Sequence, residues 1–320
     1  MSRPGVSVLI PVRDGEHHLK AALTSILTQD YGDLECIVCD DGSTDGTPAI
    51  LADAARDDPR LRVLALPRRG IVAALNAGLA AVRADWVARM DADDIALPGR
   101  LRIQIAAAAR HPGAGAIGGA WRVIGPGGVA RRTITPPTEP DAIAAALLRH
   151  NPLGHPTMLL RRNAVMALGG YRAAFRSAED YDLWLRLSEQ HPIHALPDVL
   201  LDYREHAGQT AWAAIEHRVL AEIGARAAAR ARRAGRPDPA QDAGVIDRDW
   251  LRAAGVADRE IVATLTSRAL GTAQDALAAG QGRAARAALR LLRAQPGLRA
   301  RTRIHAALLW GRSLTPGMRQ

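Results

Sequence analysis

Residues 6–12 read VSVLIPV and residues 34–40 read LECIVCD, two runs of apolar and β-branched residues that are typical of buried strands. Between them, the apolar residues at positions 19, 22, 23, 26 and 27 recur at helical spacing. The alternation continues with a helix capped by Thr47, a strand over 61–66, a helix over 71–82 and a strand over 86–90. Strands that alternate with helices predict an α/β fold, in which helices cover both faces of a parallel sheet.

Charged side chains follow these strands at the end where an α/β sheet binds its ligands. They are Arg13 and Asp14, the DDGS of residues 40–43, and the DADD of residues 91–94. Asp91 and Asp93 are two residues apart, so their carboxylates can converge on one point. Adjacent carboxylates repel each other unless a cation lies between them, and oxygen ligands favour Mg²⁺ or Mn²⁺. Because substrate phosphates usually complete the shell of protein-bound Mg²⁺, the pattern predicts a diphosphate ligand.

Two further motifs are interpreted as structural. Residues 113–118 (GAGAIG) fit a dinucleotide-binding GxGxxG, but they follow a helix and a His-Pro turn instead of opening the first βαβ unit. We expect a turn that leads into a strand of small residues. Cys36 and Cys39 form a CxxC inside a predicted strand, where this spacing places them on opposite faces. We therefore expect reduced thiols, as in a cytoplasmic protein, and not a redox or metal site.

The chain has 320 residues and a formal net charge of +9, which by itself suggests a nucleic-acid partner. The excess is confined to one region, because residues 1–210 carry 23 basic and 24 acidic side chains whereas residues 211–320 carry 19 and 9. We predict a near-neutral domain over 1–210 and a basic helical region, rich in Ala and Arg, over 211–320. With 6 Trp, 4 Tyr and 1 Phe there are few stacking platforms, so no nucleic acid is expected.

Residues 283–303 form the most basic segment, with seven arginines and no acidic residue. Arg283, Arg286, Arg290 and Arg293 recur on one helical face. Such a helix can lie on anionic lipid, each basic residue contributing about 1 kcal/mol near the surface. The alternative is a helical cap with solvated arginines. With no apolar stretch near the roughly 20 residues that span a bilayer, and no signal peptide predicted, we expect a cytoplasmic protein with peripheral contact at the inner face of the membrane as an open alternative.

Seven segments in order give the first 206 residues a resemblance to a known family. They are residues 8–16 (VLIPVRDGE), 25–29 (SILTQ), 39–47 (CDDGSTDGT), 74–78 (ALNAG), 90–94 (MDADD), 178–180 (AED) with 183–185 (LWL), and 203–206 (YREH). Each segment alone is weak, but together they resemble the bacterial family-2 glycosyltransferases, which are inverting nucleotide-sugar transferases. The resemblance implies the GT-A (Rossmann-like) fold, a mixed, mostly parallel sheet flanked by helices, here with an all-α C-terminal appendage.

The resemblance also implies a nucleotide side of the site. Pro11 and Arg13 lie where the family contacts the nucleotide, although Arg13 replaces a residue that is commonly Tyr. Asp41 matches the acidic residue that accepts a hydrogen bond from the base, and Asp40 supports it. Asn76 lies on the helix that approaches the donor, although a hydrogen bond within the helix is an equally good interpretation.

The metal and diphosphate side is assigned in the same way. Asp91 and Asp93 match the motif that binds the metal and the ribose. His206 is expected to complete the metal shell, and Arg204 to bind the diphosphate as a bidentate cation; a surface or structural role is the alternative for His206. His155 is expected to shape the acceptor side.

Asp180 is the candidate catalytic base. It falls with Glu179 in the first turn of a predicted helix, where the dipole favours carboxylates, so the alternatives are simple capping and Glu179 as the base. The resemblance makes Asp180 the general base of the Glu-Asp pair and places Glu179 with the nucleotide sugar. An inverting transfer needs one base to take the proton of the acceptor hydroxyl, and like-charge coupling to Glu179 is expected to raise its pKa toward neutrality.

The sequence thus predicts a divalent-metal-dependent, inverting glycosyltransferase of the hexosyl type, involved in polysaccharide biosynthesis. Its donor would be a nucleotide-diphosphate sugar, with a UDP-sugar favoured, and its acceptor a hydroxyl of a glycan or lipid-linked glycan. A sugar-nucleotide nucleotidyltransferase would carry a Gly- and Arg-rich loop after the first strand, which residues 11–16 (PVRDGE) match poorly. A membrane or nucleic-acid adaptor acting through the basic tail leaves Asp91, Asp93 and Asp180 unexplained.

Overall fold

The computed structural model describes residues 3–125, 127–205, 215–278, 280–295 and 300–313. The strands of this part of the chain are β1 (Val6–Val12), β2 (Leu34–Asp40), β3 (Leu61–Ala65), β4 (Trp86–Arg89), β5 (Ile95–Ala96), β6 (Ala116–Ile124), β7 (Ala130–Ile134), β8 (Leu159–Arg161) and β9 (Ile193–Arg204). Its α-helices are α1 (Leu19–Leu27), α2 (Thr47–Asp57), α3 (Ile71–Ala81), α4 (Arg100–Arg110), α5 (Pro140–Leu147), α6 (Arg162–Ala167), α7 (Glu179–Leu187), α8 (Ile215–Arg233), α9 (Arg248–Ala253), α10 (Asp258–Ala278), α11 (Gly282–Arg293) and α12 (Ala300–Arg312).

The described strands form one mixed sheet in the order β3-β2-β1-β4-β8-β6-β9-β5, with β7 paired to β6. The β1 to β4 part is parallel, as the alternation of strands and helices predicts. Beyond β4 the sheet is mixed, because β8 runs antiparallel to both β4 and β6 whereas β6 and β9 are parallel. The chain order reverses between β1 and β4, and ligands of α/β sheets bind beyond the carboxyl ends of strands at such a point. The predicted fold class is confirmed.

Helix α1 packs on the sheet through the stripe that its sequence predicts. Leu19, Ala22, Leu23 and Ile26 are buried, and Leu27 is partly buried against the same core. That core also contains Val8 and Ile10 of β1 and Cys36 of β2, so α1 lies on one face of the parallel strands. Burial of a side chain of this size contributes about 1.5 to 3 kcal/mol, which fixes α1 and the loop that precedes it.

Helix α3 approaches β1 and β2 very closely at Gly78. A Cβ atom at this glycine would lie 2.1 Å from Cδ1 of Leu9 and 3.0 Å from Sγ of Cys39. Cys39 therefore faces α3, whereas Cys36 belongs to the core beneath α1. Both cysteines are free and buried, and burial raises the pKa of each thiol to about 12. The two cysteines therefore lie on opposite faces of the sheet, as their spacing predicts.

Two local predictions have different outcomes. Residues 113–118 do lead into a strand of small residues, since β6 begins at Ala116. The prediction that Thr47 caps α2 was wrong by one residue, because Thr47 is the first residue of the helix and Gly46 precedes it as the cap. Thr47 Oγ1 instead accepts a hydrogen bond of 2.8 Å from the backbone N–H of Gly15 in the neighbouring loop. A contact across two loops therefore competes with local capping.

Glu35 is a buried carboxylate on β2, only 2% exposed. It accepts hydrogen bonds from the Ser7 hydroxyl at 2.6 Å and from the backbone N–H and Nε of Arg83, both at 2.7 Å. Burial opposes the charge, but these donors outweigh it, so the pKa of Glu35 lies below its usual value. The arrangement joins β1 and β2 to the segment that leads into β4.

By its contacts the chain divides into two compact units, Met1–Ala173 with Glu179–Glu205, and Ala174–Ala178 with His206–Gln320. The first unit contains the sheet. The second contains α8 to α12, in which α10 and α11 form a helical hairpin that turns at Gly280. Within the described ranges, none of the helices combines the length and the apolar character that a membrane crossing requires.

Candidate active site

The acidic residues after β4 converge on one point. One carboxylate oxygen from each of Asp91, Asp93 and Asp94 lies within 4.8 Å of the others. Asp94 is fully buried, and its Oδ2 atom has no hydrogen-bond partner. Burial, followed by the charges of Asp91 and Asp93, raises the pKa of Asp94 well above its usual value. Converging carboxylate oxygens, one of them buried and unpaired, are the donor set that a hard divalent cation such as Mg²⁺ or Mn²⁺ accepts, so the residues fit the predicted metal.

The end of β9 is fixed against this acidic turn. The backbone N–H of Arg204 donates to Oδ1 of Asp94 at 2.9 Å, and its Nε donates to the carbonyl oxygen of Asp93 at 3.0 Å. Arg204 is therefore brought to the acidic cluster, while its contact with a diphosphate stays a prediction. His206 lies outside the described residues.

Arg89, the last residue of β4, is a buried cation beside the acidic turn. Its Nη2 contacts Oδ1 of Asp91 at 2.7 Å, while its Nε and Nη1 atoms are buried without a hydrogen-bond partner. Burial lowers the pKa of Arg89, but Asp91, with smaller effects from Tyr171 and Glu179, raises it by more. The pKa of Arg89 therefore lies above its usual value, and the group stays charged. Sequence reasoning missed Arg89, although a charged residue in the apolar run WVARM is the signal that could have found it.

A second buried arginine, Arg100 of α4, donates a hydrogen bond to the backbone of Arg89. Nη2 of Arg100 donates to the backbone carbonyl of Arg89 at 2.8 Å, and its Nε donates to Oε1 of Gln104 at 3.2 Å. Burial lowers the pKa of Arg100 to about 10, and the nearby Asp94 opposes that shift. The end of β4 is thus held by buried polar contacts, which fixes where the acidic turn begins.

Asp180 lies in the first turn of α7 and is half-buried. Its Oδ1 accepts a hydrogen bond from the backbone N–H of the next residue, Tyr181, at 2.7 Å. Its Oδ2 accepts a second one from Nδ2 of Asn151 at 2.9 Å. Glu179, its neighbour, is buried and close enough to Arg89 for their charges to interact. Asp91 and Glu179 are therefore both near the buried guanidinium of Arg89, and Asp180 follows Glu179 in the chain.

His155 and Asn76 both contact Tyr171, which precedes α7. Nε2 of His155 lies 2.8 Å from the Tyr171 hydroxyl, and the His155 ring meets the ring of Trp184 edge-on at 5.6 Å. Burial, followed by the charge of Arg89, lowers the pKa of His155 well below its usual value, so the ring is neutral at pH 7. The prediction that His155 shapes the acceptor side is not tested by these contacts.

Asn76 uses its side chain within the fold. Its Nδ2 donates to the carbonyl oxygen of Tyr171 at 2.8 Å, and its Oδ1 accepts from the Tyr171 N–H at 2.9 Å. The alternative interpretation, a hydrogen bond within the helix, is wrong for these two contacts, because they join α3 to the segment before α7. A contact of Asn76 with the donor stays a prediction.

The residues predicted to bind the nucleotide lie at the ends of β1 and β2. Asp41 is buried and accepts hydrogen bonds from the backbone N–H groups of Arg69 and Gly70, at 2.7 and 2.9 Å. Asp40 accepts one from the N–H of Ser43 at 2.9 Å. These carboxylates are thus immobilised by backbone donors before any ligand binds. Of the other two residues predicted to bind the nucleotide, Pro11 is buried beside Cys39 and Arg13 is exposed.

Two loops, over residues 13–16 and 43–47, lie next to the residues that are predicted to bind the nucleotide. Each loop donates hydrogen bonds to the other. The hydrogen bonds run from Asp14 N to Ser43 Oγ (2.9 Å), from Thr44 N to Asp14 Oδ1 (2.8 Å), from Glu16 N to Asp45 Oδ2 (3.0 Å) and from Gly46 N to Glu16 Oε2 (2.8 Å). Each loop therefore supplies donors and acceptors to the other, and the pair forms one rigid border.

Solved structures share this fold. The mannosyltransferase PcManGT from Pyrobaculum calidifontis, in complex with GDP-Man and Mn²⁺, aligns with a TM-score of 0.56 at 22% identity, over 98% of this chain and 86% of that one. S. aureus TarS in complex with UDP-GlcNAc aligns with a TM-score of 0.56 at 18% identity, over 83% and 85% of the two chains. Identities this low establish the likeness of fold.

The sequence itself matches a family model. The model described as glycosyl transferase family 2 matches residues 7–178, more than half of the chain. The amylovoran biosynthesis glycosyltransferase AmsE of Erwinia amylovora is 34% identical over 204 residues, which are 62% of this chain and 75% of that relative. The residues that match the family model contain β2 to β8, the acidic turn and the segment that leads to α7. The predicted family is confirmed, and the chain belongs to glycosyltransferase family 2.

Proposed function

We propose that this glycosyltransferase moves a hexosyl group from a nucleotide-diphosphate sugar to a hydroxyl group of a glycan or lipid-linked glycan, with inversion at the anomeric carbon. A UDP-sugar is the favoured donor, in line with the UDP-GlcNAc complex of TarS. A role in polysaccharide biosynthesis is supported by the likeness to a glycosyltransferase of amylovoran biosynthesis.

One observation supports this reaction most directly. The buried Arg89 contacts Asp91 at 2.7 Å and interacts electrostatically with Glu179, the neighbour of Asp180. A carboxylate cluster suited to a cation and a carboxylate suited to a base are therefore in one site. A sugar transfer needs both, one for the departing diphosphate and one for the attacking hydroxyl.

The acidic cluster is proposed as the metal site. Asp91, Asp93 and Asp94 would hold Mg²⁺ or Mn²⁺, with His206 as a further ligand. When bound, the cation would neutralise negative charge on the leaving diphosphate. The Mn²⁺ and GDP-Man complex of PcManGT supports a metal of this kind. Arg89 fixes Asp91, and the Arg204 backbone fixes Asp94, so the two outer carboxylates of the cluster cannot reorient freely.

Asp180 is proposed as the catalytic base. It takes the proton from the acceptor hydroxyl as that oxygen forms a bond to the anomeric carbon. The bond between the anomeric carbon and the diphosphate oxygen breaks at the same time, and its electron pair leaves with the nucleoside diphosphate. Because the attack comes from the face opposite the leaving group, this single displacement inverts the configuration.

The donor is proposed to lie along the carboxyl ends of the central strands. Pro11, Arg13, Asp40 and Asp41 would contact the nucleotide, and Asn76 would approach the same ligand from α3. Arg204 and Glu179 would contact the diphosphate and sugar. The backbone donors on Asp40 and Asp41 support this arrangement, because a carboxylate that is already oriented loses little entropy when it binds a base.

Donor binding and transfer can be tested separately. Calorimetry with UDP-, GDP- and dTDP-sugars, each with Mn²⁺ and with EDTA, is expected to show metal-dependent binding to one nucleotide, which Asp93→Asn removes. Donor hydrolysis and transfer to a saccharide panel are expected to fall at least about 100-fold in Asp180→Asn while donor binding persists. Absence of metal-dependent binding to any nucleotide sugar, or wild-type turnover by Asp180→Asn, would overturn the proposal.

We also propose that residues 1–210 form the catalytic domain and that residues 211–320 form a basic region. In the cytoplasm, residues 283–303 would contact an anionic membrane at its inner face. Arg283, Arg290 and Arg293 of α11 are exposed, which supports this contact. On the neighbouring helix α12, Leu308 is 66% exposed. Exposed arginines beside an exposed leucine suit a surface of anionic lipid.

The membrane contact is tested by flotation with phosphatidylcholine vesicles that contain either no phosphatidylglycerol or about 30% phosphatidylglycerol. Replacing Arg283, Arg290 and Arg293 with Gln is expected to abolish binding to the anionic vesicles. A matched triple variant of the exposed Arg233, Arg236 and Arg259 removes the same charge outside α11 and is expected to keep binding. Equal loss in both variants would reduce the effect to net charge and contradict a role of α11.

A further inference from the structure

We infer that Asn151 is a positioning residue for Asp180 in the transfer reaction, an inference that rests on the proposed function. Nδ2 of Asn151 donates a hydrogen bond to Oδ2 of Asp180 at 2.9 Å, and the two residues lie 29 positions apart in the chain. The residue resembles no part of the metal or nucleotide motifs. Its place in the site comes from the fold, which brings the segment before β8 to the start of α7.

The orientation of the Asn151 amide is fixed by its second partner. Oδ1 of Asn151 accepts a hydrogen bond from the backbone N–H of Leu153 at 3.1 Å. A backbone N–H can only donate, so the atom that faces Leu153 must be the oxygen, and the atom that faces Asp180 must be the NH₂ group. The side chain therefore presents a donor to the carboxylate and cannot flip without losing both contacts.

The carboxylate of Asp180 is held at both oxygens. Oδ1 takes the N–H of Tyr181 at 2.7 Å, and Oδ2 takes the amide of Asn151 at 2.9 Å. One donor belongs to α7 and the other to a different segment, so together they fix the rotation of the carboxylate about its own bond. A base held in one orientation faces the acceptor hydroxyl more of the time, and misplacement by about 1 Å can cost roughly 100-fold in rate.

The donated hydrogen bond also favours the ionised base. Glu179 and Asp182 lie on the same helix as Asp180 and, as like charges, disfavour ionisation. From the facing segment, Tyr171 interacts with Asp180, but burial raises the pKa of its hydroxyl, so this group is uncharged at pH 7. Its partner His155 is neutral as well.

Three cations lie among these groups: Arg172 and Arg186 pair with Asp182 and offset its charge, and Arg89 contacts Asp91 and interacts with Glu179 and Tyr171. The amide of Asn151 therefore opposes the like-charge effect at the atom that must accept the proton. Its removal is expected to move the acidic limb of the rate profile toward higher pH, which a purely structural side chain would not do.

Asn151→Asp is the sharpest test, because it is nearly isosteric and keeps the acceptor for Leu153 while it replaces the donor to Asp180 with a negative charge. We expect kcat at pH 7 to fall about 10-fold or more, a KM for the donor within about 2-fold, and an acidic limb moved up by about one pH unit. Asn151→Ala is expected to change kcat and the limb in the same direction by less. The exposed Asn163 of α6 provides the matched control, and Asn163→Ala is expected to match the wild type.

Two results would overturn the inference. One is a uniform loss of kcat at every pH with an unchanged acidic limb, which would indicate a structural role. The other is wild-type kcat in Asn151→Asp. If Asn151→Ala does not fold, as judged by circular dichroism, the profile of the isosteric variant decides. Failure of the proposed function is recognised separately, because Asp180→Asn would then retain turnover.

Discussion

Replacing Gly78 with alanine is expected to destabilise the first unit, although alanine is the better helix former. The new methyl group would lie 2.1 Å from Cδ1 of Leu9, whereas apolar carbons meet comfortably at about 3.5 to 4.0 Å. Leu9 is 1% exposed in the central strand β1, so its side chain has little room to withdraw. Overpacking of this kind costs up to about 3 kcal/mol, and the gain in helix propensity offsets about 1 kcal/mol. The net loss is therefore up to about 2 kcal/mol.

The measurement is the free energy of unfolding of the full chain, obtained from a urea titration that is monitored by circular dichroism. Ala80→Gly serves as the control for helix propensity, because Ala80 is exposed in the last turn of α3. It is expected to cost at most about 1 kcal/mol, a term that acts in the opposite direction at Gly78. The double variant with Leu9→Ala removes the two closest carbons of Leu9 and leaves Sγ of Cys39 at 3.0 Å, so in that background the cost of Gly78→Ala is expected to fall.

The reasoning would be refuted if Gly78→Ala were as stable as the wild type, or if its cost were unchanged in the Leu9→Ala background. The first result would mean that α3 moves away from the sheet at no cost. The second would mean that the destabilisation arises elsewhere than at the contact with Leu9.

Three further predictions concern polar contacts. Glu35→Gln is expected to cost about 2 kcal/mol at neutral pH. Because the folded pKa of Glu35 is lowered, this difference is present above the unfolded pKa of about 4.3 and shrinks as pH falls below it, which urea titrations at several pH values would show. His155→Gln is expected to flatten the fall in stability below about pH 6.5, since the unfolded chain takes up a proton there that folded His155 refuses; equal slopes would contradict this. Asn76→Ala removes two hydrogen bonds to the Tyr171 backbone and is expected to cost about 2 kcal/mol in the same titration, and an unchanged midpoint would count against it.

The first half of the sheet could be predicted because its signals are local. β1 and β2 have the predicted bounds, since each is a continuous apolar run ended by a charged residue. The mixed half could not be predicted in this detail. β8 is three residues long, which is too short to leave a periodic signal. β6 and β9 are far apart in the chain but pair in parallel, and no local pattern indicates that pairing.

The candidate site shows the same division. Asp91 and Asp93 could be found from a spacing of two at a strand end, and Asp180 from its place in a helix turn. Arg89 was hidden because a buried arginine in an apolar strand is explained only by the carboxylates that surround it. Asn151 was hidden because its partner Asp180 meets it only in the folded chain. Pairings across the fold are absent from sequence periodicity.

The reciprocal hydrogen bonds between residues 13–16 and 43–47 have a consequence for engineering. A chimaera that takes only one of these loops from a relative leaves donors and acceptors of the other without partners, for example the N–H of Thr44 once Asp14 is gone. The two loops would have to be transplanted together, as a single cassette. Attempts to exchange donor preference by grafting should therefore treat these two stretches, distant in the chain, as one inherited module.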